Sequence, residues 1–167
     1  FNAEVSRRDL YETYLPAFKS LVDVNVETIM CAYNRTNNEP CCGSNELISN
    51  ILRNSWGFNG HVVSDCGAIY DISNNHNFTA SDLESVAYAV KGGVDLNCGS
   101  LYNLIPEAIK AKLLSEDDVD ESLKRLLITR LKLGTIGNAD DNPYSKIKPD
   151  VINSKKHKKL KNQRHNT

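Results

Sequence analysis

The sequence predicts an α/β chain in which strand–helix units are laid on a parallel sheet. Three observations carry this. Short apolar or β-branched runs at residues 28–33, 61–65 and 94–97 place Ile29, Val62 and Val94 33 and 32 residues apart. Apolar residues at three- and four-residue spacing fill the intervals, as amphipathic helices require. Each run then ends in polar groups or glycine. Strands alternating with helices at this interval make βαβ units. Two architectures accommodate them, a doubly wound open sheet or part of an eight-stranded barrel, and three strands cannot close a barrel.

Each element has a local cause. A helix is expected over 6–22, because Ser6 can cap it, Asp9 favours its first turn, and Leu10, Tyr14, Phe18 and Leu21 form one apolar face. The first strand follows at 28–33. A turn-rich stretch, 34–43, leads to a helix over 44–55 with Leu47, Ile48, Ile51 and Leu52 on one side. Gly57 and Gly60 punctuate it before the second strand. Ser81-Asp82-Leu83-Glu84 is a capping box opening a helix to Lys91, which Gly92-Gly93 stop ahead of the third strand. Helices are expected over 101–114 and 115–133, the latter closed by Gly134.

Composition excludes several classes. The 167 residues are 40% hydrophobic and 25% charged, an ordinary globular balance. No apolar run approaches the roughly 20 residues of a membrane span. The chain opens on Phe1 with no basic-then-apolar leader and reads as a piece of something longer. The net charge of −1 conceals a tail, 155–167, of charge +6. That tail lacks interleaved aromatics, so it reads as a solvated end rather than a nucleic-acid arm. No nucleic-acid partner is expected.

Motifs narrow the chemistry. The phosphate loop GxxxxGK[ST], the dinucleotide fingerprint GxGxxG and the nucleophile elbow GxSxG are absent. Cys31, Cys41, Cys42, Cys66 and Cys98 lack the paired CxxC spacing of zinc sites, and the four histidines show no ligand spacing. Asn34-Arg35-Thr36 and Asn77-Phe78-Thr79 fit the N-glycosylation acceptor pattern. Tyr11, Tyr14 and Tyr88 fall at helical positions and are expected in the core. In both architectures function collects at the carboxyl ends of parallel strands. Here those ends read Tyr33-Asn34, Ser64-Asp65-Cys66-Gly67 and Asn97-Cys98-Gly99. Asp65 directly follows Val62-Val63-Ser64, where a carboxylate must be hydrogen-bonded or used. Capping the next turn and serving chemistry are both open to it.

The segment Val62-Val63-Ser64-Asp65-Cys66-Gly67-Ala68-Ile69 resembles the family 3 glycoside hydrolases, the exo-acting β-glucosidases and β-xylosidases. Phe1-Asn2-Ala3, Met30-Cys31-Ala32-Tyr33-Asn34, Trp56-Gly57-Phe58-Asn59-Gly60, Gly93-Val94-Asp95-Leu96-Asn97-Cys98-Gly99 and Arg130-Leu131-Lys132-Leu133-Gly134 agree in order and spacing. The likeness runs from residue 1 to about Leu160. It implies that residues 1–137 are the later part of a (β/α)8 TIM-like barrel, incomplete here. Residues 138–167 would be a linker, ending in the basic tail, towards an αβα-sandwich domain missing from this chain. The altered run after Leu160 reads as a truncation or frame break.

The resemblance also implies roles. Asp65 would be the catalytic nucleophile of a retaining exo-β-glycosidase, kept anionic by donors from Ser64, Gly67 and the turn backbone. Tyr33 would line the sugar subsite with Met30 nearby. Asp95 could serve the barrel's hydrogen bonds or touch sugar. The acid/base glutamate and the Lys-His sugar-binding block would lie outside this chain. The substrate would be an oligosaccharide or an aryl or alkyl β-glycoside, with no cofactor or metal, and the compartment secreted or periplasmic. The other readings are a β-glucosidase of the same family, a carbohydrate-binding relic without catalysis, and a generic α/β domain that binds phosphate at a helix N-terminus. Cys66 and Cys98 follow the ends of adjacent strands about 4.8 Å apart, within bridging range. They are either a disulfide or two small buried thiols. Their surroundings resemble the β-xylosidase branch, where a bridge would narrow the pocket and favour a pentose.

Overall fold

The computed structural model describes residues 1–137 and 142–164, so parts of the expected linker and basic tail (138–141 and 165–167) lie outside the described residues. The chain divides into two compact units, Phe1–Thr129 and Arg130–Thr167.

In order, the first unit holds β1 (Asn2–Ala3), α1 (Arg7–Asp9), a wide π turn (Leu10–Tyr14), α2 (Leu15–Asp23), β2 (Thr28–Cys31), β3 (Arg35–Thr36) and β4 (Glu39–Pro40). A π-type helix (Asn45–Ser55), β5 (His61–Ser64), α3 (Ala68–Asn74), α4 (Asp82–Lys91), a 3-10 turn (Leu101–Leu104) and α5 (Ile105–Lys110) follow. Helix α6 (Glu116–Lys132) runs out of it. The second unit contains two 3-10 turns, Pro143–Lys146 and Pro149–Val151, and α7 (Lys155–Arg164).

The parallel pair β2–β5 is central, in the register Thr28↔His61, Ile29↔Val62, Met30↔Val63 and Cys31↔Ser64. This is the 33-residue repeat read from the sequence. The third strand differs from expectation. It is reduced to one parallel bridge, Val63↔Leu96, which displaces the anticipated match of Val94 with Val62 by one residue. The cause is a local bulge. The N–H groups of Asp95 and Leu96 both donate to the Val62 carbonyl, at 2.8 and 3.1 Å. The Val62 N–H instead donates to the Asp95 carboxylate at 2.8 Å, so a side chain replaces a ladder carbonyl.

The helix starts follow their caps. Ser6, Ser44 and Ser81 accept from the N–H of Asp9, Leu47 and Glu84 at 3.1, 3.2 and 3.3 Å. The Glu84 carboxylate reaches back to the Ala80 N–H at 2.9 Å, completing the box one residue earlier than usual. The expected helix over 101–114 divides into the 3-10 turn and α5, and Lys112 adopts a positive φ of 59° beyond it. Helix α3 and the small sheet of β1, β3 and β4 are additions to the expected elements. Asn37 and Asn38 supply the two positive φ values (49° and 73°) that a tight hairpin turn between β3 and β4 demands.

The core lies between the central pair and the helices that follow it, centred on Val62, Ile69, Ile72 and Val94, all essentially inaccessible. A second cluster joins α4 to α5 through Val86, Val90 and Ala108. Gly92 has no room for a side chain, since a Cβ there would lie 2.2 Å from the Gly43 carbonyl. The amphipathic helix 6–22 forms, but its stripe is not in the core. Phe18 and Leu21 are 47% and 51% exposed, Tyr11 and Tyr14 are also exposed, and only Val22 is buried. Tyr88, by contrast, packs against the core.

Candidate active site

The ladder between β2 and β5 extends one residue past the strand, because the Asp65 N–H donates to the Cys31 carbonyl at 3.1 Å. The chain then turns sharply. The Ala68 N–H returns to the Asp65 carbonyl at 3.1 Å, and Gly67 occupies the left-handed region at φ 86°, which disfavours any side chain. This turn leaves Asp65 half-buried at the strand's carboxyl end. Its Oδ1 accepts from the Cys66 N–H at 2.7 Å.

Tyr33, at the end of the neighbouring strand, is held at both ends. Its hydroxyl donates to the Cys66 carbonyl at 2.5 Å, and its own carbonyl lies 2.7 Å from His76 Nε2. Desolvation at the strand end pushes the phenol pKa up, and the neighbouring Asp65 carboxylate pushes it further. The phenol therefore stays a neutral donor. Met30 is 57% exposed on the same side. Met30, Tyr33 and Asp65 thus line one open depression of about 530 Å³, together with Phe1 and Phe18. Its surface is largely apolar.

Of the expected donors to Asp65, the turn backbone serves it through the Cys66 N–H, whereas Ser64 and Gly67 are placed otherwise. The Ser64 hydroxyl lies 3.2 Å from Asn97 Oδ1 and accepts from the Cys98 N–H at 2.9 Å. The Gly67 N–H goes to the Cys98 carbonyl at 2.8 Å. Both residues stitch the two strand-end loops together instead of serving the carboxylate. Cys66 and Cys98 are covalently joined across the same seam, Cα to Cα 4.3 Å. A second disulfide, Cys31–Cys42, closes the loop after β2. Cys41 is a buried thiol whose pKa burial pushes up.

Asp95 does not reach the depression. Its side chain is fully buried, paired with Arg53 at 2.7 Å and Arg125 at 2.8 Å as well as with the Val62 N–H. Two guanidiniums and an amide N–H saturate it, the arrangement a buried carboxylate needs. Of the two roles left open for it, hydrogen bonding within the fold is the one observed. Beside it, buried His61 lies 3.0 Å from the Thr129 hydroxyl, which in turn donates to Glu27 at 2.8 Å. Burial lowers the His61 pKa, with the Asp95 and Glu27 carboxylates opposing.

Residue patterns do not reveal His76, Arg53 or Arg125. His76 acts through one backbone carbonyl, which leaves no trace in spacing. A buried acid at Asp95 demands cations, and that is the available signal for the two arginines. Among the described residues no group of three or more His, Cys, Asp or Glu side chains could hold a metal ion. Among them, too, no helix is long and apolar enough to cross a membrane.

The family description "Glycosyl hydrolase family 3 N terminal domain" fits residues 2–129. A xylan 1,4-β-xylosidase of Xylanibacter ruminicola is 44% identical over 155 residues, covering 91% of this chain and 18% of that protein. β-D-xylosidase 1 of Arabidopsis thaliana is 36% identical over 163 residues, covering 96% of the chain and 21% of the relative. Among solved structures, a GH3 exo-β-xylosidase (XlnD) in complex with a xylobiose aziridine activity-based probe superposes at a TM-score of 0.86, with 29% identity over 91% of this chain and 20% of that one. A β-glucosidase from Listeria innocua in complex with glucose gives 0.78, at 28% identity over 87% and 20%. The chain thus spans about a fifth of the length of the relatives it matches.

Proposed function

The chain belongs to glycoside hydrolase family 3, in its N-terminal domain, and on that premise we propose that the complete protein is a retaining exo-β-glycosidase with Asp65 as its nucleophile. The observation that carries the reading is Asp65 at the end of a central parallel strand, lining an open depression with Tyr33 and Met30. Carboxyl ends of parallel strands are where barrel chemistry collects. In the reaction Asp65 attacks the anomeric carbon from below while a carboxylic acid about 5 Å away protonates the leaving oxygen. Water then hydrolyses the glycosyl ester, that second group now acting as base. The second group comes from outside this chain, and residues 138–167 serve as the linker towards the αβα-sandwich domain that bears it. The chain alone is therefore inactive.

β-Xylosides are the favoured substrates, oligosaccharide or aryl glycoside. The two relatives described above are named xylosidases, and the XlnD structure superposes more closely than the Listeria glucosidase. The two disulfides support a secreted or periplasmic setting, since such bonds persist in oxidising compartments. The test is labelling of the complete protein with a mechanism-based fluorinated xyloside. A covalent adduct on the peptide containing Asp65, lost in Asp65→Asn along with nearly all turnover, supports the proposal. An adduct on another carboxylate overturns it.

A further inference from the structure

The two glycosylation sequons stand in opposite structural circumstances. Asn34 is half-buried, and its carbonyl accepts from the Cys41 N–H at 3.1 Å. Its amide nitrogen donates to the Arg35 carbonyl at 2.9 Å and contacts the Thr36 hydroxyl at 3.4 Å. That hydroxyl also lies 3.2 Å from Cys41 Sγ. The whole triplet is enclosed by the Cys31–Cys42 bond, which closes a loop of sequence separation 11. Asn34 further lines the depression beside Asp65. An oligosaccharide on this nitrogen would have to displace both the hairpin and the open site.

Asn77 is exposed at the tip of the loop between α3 and α4, with φ 50°. Its side chain makes no hydrogen bond among the described residues. The residues around it anchor the loop. The His76 and Phe78 N–H groups donate to the Asp71 and Ile72 carbonyls at 2.8 and 2.9 Å. The Phe78 ring lies against Tyr88 with centroids 4.9 Å apart, and Thr79 pairs with the Ser85 hydroxyl at 2.6 Å. Asn77 is thus held outward by a loop that has no internal use for it. A hydrophilic oligosaccharide needs such an exposed, unoccupied nitrogen.

We propose that Asn77 is an N-glycosylation site and that Asn34, despite an equivalent triplet, is not. The donor is a lipid-linked oligosaccharide diphosphate. The Asn77 amide nitrogen forms a bond to the anomeric carbon. The bond from that carbon to the diphosphate oxygen breaks, its electron pair leaving with the diphosphate, and the amide proton passes to a base of the transferase. The two disulfides are compatible with the oxidising secretory route along which this modification takes place.

The experiment is secretion of the protein from yeast, followed by intact mass measurement and peptide mapping after enzymatic deglycosylation in heavy-oxygen water. Non-reducing maps that recover the Cys31–Cys42 and Cys66–Cys98 peptides select the folded material. The expected result, in the complete protein, is an asparagine-to-aspartate label at position 77 and none at position 34. Asn77→Gln should lower the intact mass by one glycan and Asn34→Gln should leave the glycan mass unchanged. An unlabelled position 77 in folded wild-type protein, or a label at position 34, overturns the proposal. Wild-type peptides report the site directly, so the outcome does not depend on how either variant folds.

Discussion

Tyr33 and Asp65 hold the same residue from opposite ends. The Tyr33 hydroxyl donates to the Cys66 carbonyl at 2.5 Å, and the Asp65 carboxylate accepts from the Cys66 N–H at 2.7 Å. Cys66 is in turn bonded to Cys98. One residue therefore relays position among a carboxylate, a phenol ring and the neighbouring strand-end loop. Both side chains are thereby held against one backbone unit, the preorganisation that the nucleophilic role proposed for Asp65 calls for.

Tyr33→Phe removes the bond to Cys66 and keeps the ring. One neutral hydrogen bond contributes about 1 kcal/mol, so kcat/KM of the complete enzyme should fall roughly fivefold. Aryl-xyloside kinetics measure it. An unchanged value would show that the phenol does not position the nucleophile.

Asp95→Asn should act on stability rather than on substrate. It leaves Arg53 and Arg125 facing a neutral amide in a buried site, and breaking such a network costs about 3–5 kcal/mol. The denaturation midpoint should drop accordingly, while KM for a glycoside, measured well below the new midpoint, should stay constant. A selective rise in KM would return Asp95 to the sugar site.

His61 predicts an acid-sensitive fold. Burial depresses its folded-state pKa below the usual histidine value near 6.5, so between the two values the unfolded chain binds more protons. Stability from this group is complete above about pH 6.5 and is lost as pH falls towards the folded value. Thermal midpoints from pH 7.5 down to 5 should decline more steeply in the native protein than in His61→Gln. Parallel curves would contradict the assignment.

Much of the fold is legible in the sequence because local causes agree with global ones. Strands β2 and β5 are short runs built on apolar and β-branched residues, so their register follows from a single repeat. Ser44 and Ser81 mark helix starts through chemistry confined to three residues. The third strand departs from its pattern because Asp95 spends its carboxylate on a backbone N–H that pattern reading assigns to a ladder. The β3–β4 hairpin pairs only two residues on each side, too few for periodicity to register, and depends on the left-handed conformation of Asn37 and Asn38. The stripe Tyr14, Phe18, Leu21 indicates the right helix and the wrong surroundings, since amphipathicity reports an apolar face and not what covers it. At the site, strand-end position discloses Asp65 and Tyr33, whereas His76 reaches Tyr33 from 43 residues away through a carbonyl, which no spacing rule encodes.

The Cys66–Cys98 bond gives the sharpest test of substrate preference. It joins the loops after β5 and after the Leu96 bridge, next to Asp65, and three hydrogen bonds cross or brace the same seam: Gly67 N–H to Cys98, Cys98 N–H to Ser64 and Ser64 with Asn97. Closing a loop of sequence separation 32 contributes about 4 kcal/mol by chain entropy. The three hydrogen bonds remain when the bond is cut, so the seam should keep its path but lose its tightness. A hexose differs from a pentose by one exocyclic CH2OH, and discrimination over a single such group amounts to about 1–3 kcal/mol when pocket walls are rigid. The complete enzyme should therefore be faster on β-xylosides than on β-glucosides, and Cys98→Ser should narrow the ratio of the two kcat/KM values, chiefly by admitting the hexose and raising the glucoside rate. Disulfide content is checked by thiol titration in the same samples. A native enzyme faster on glucosides removes the pentose preference, and a Cys98→Ser ratio equal to the native one removes the bond as its cause.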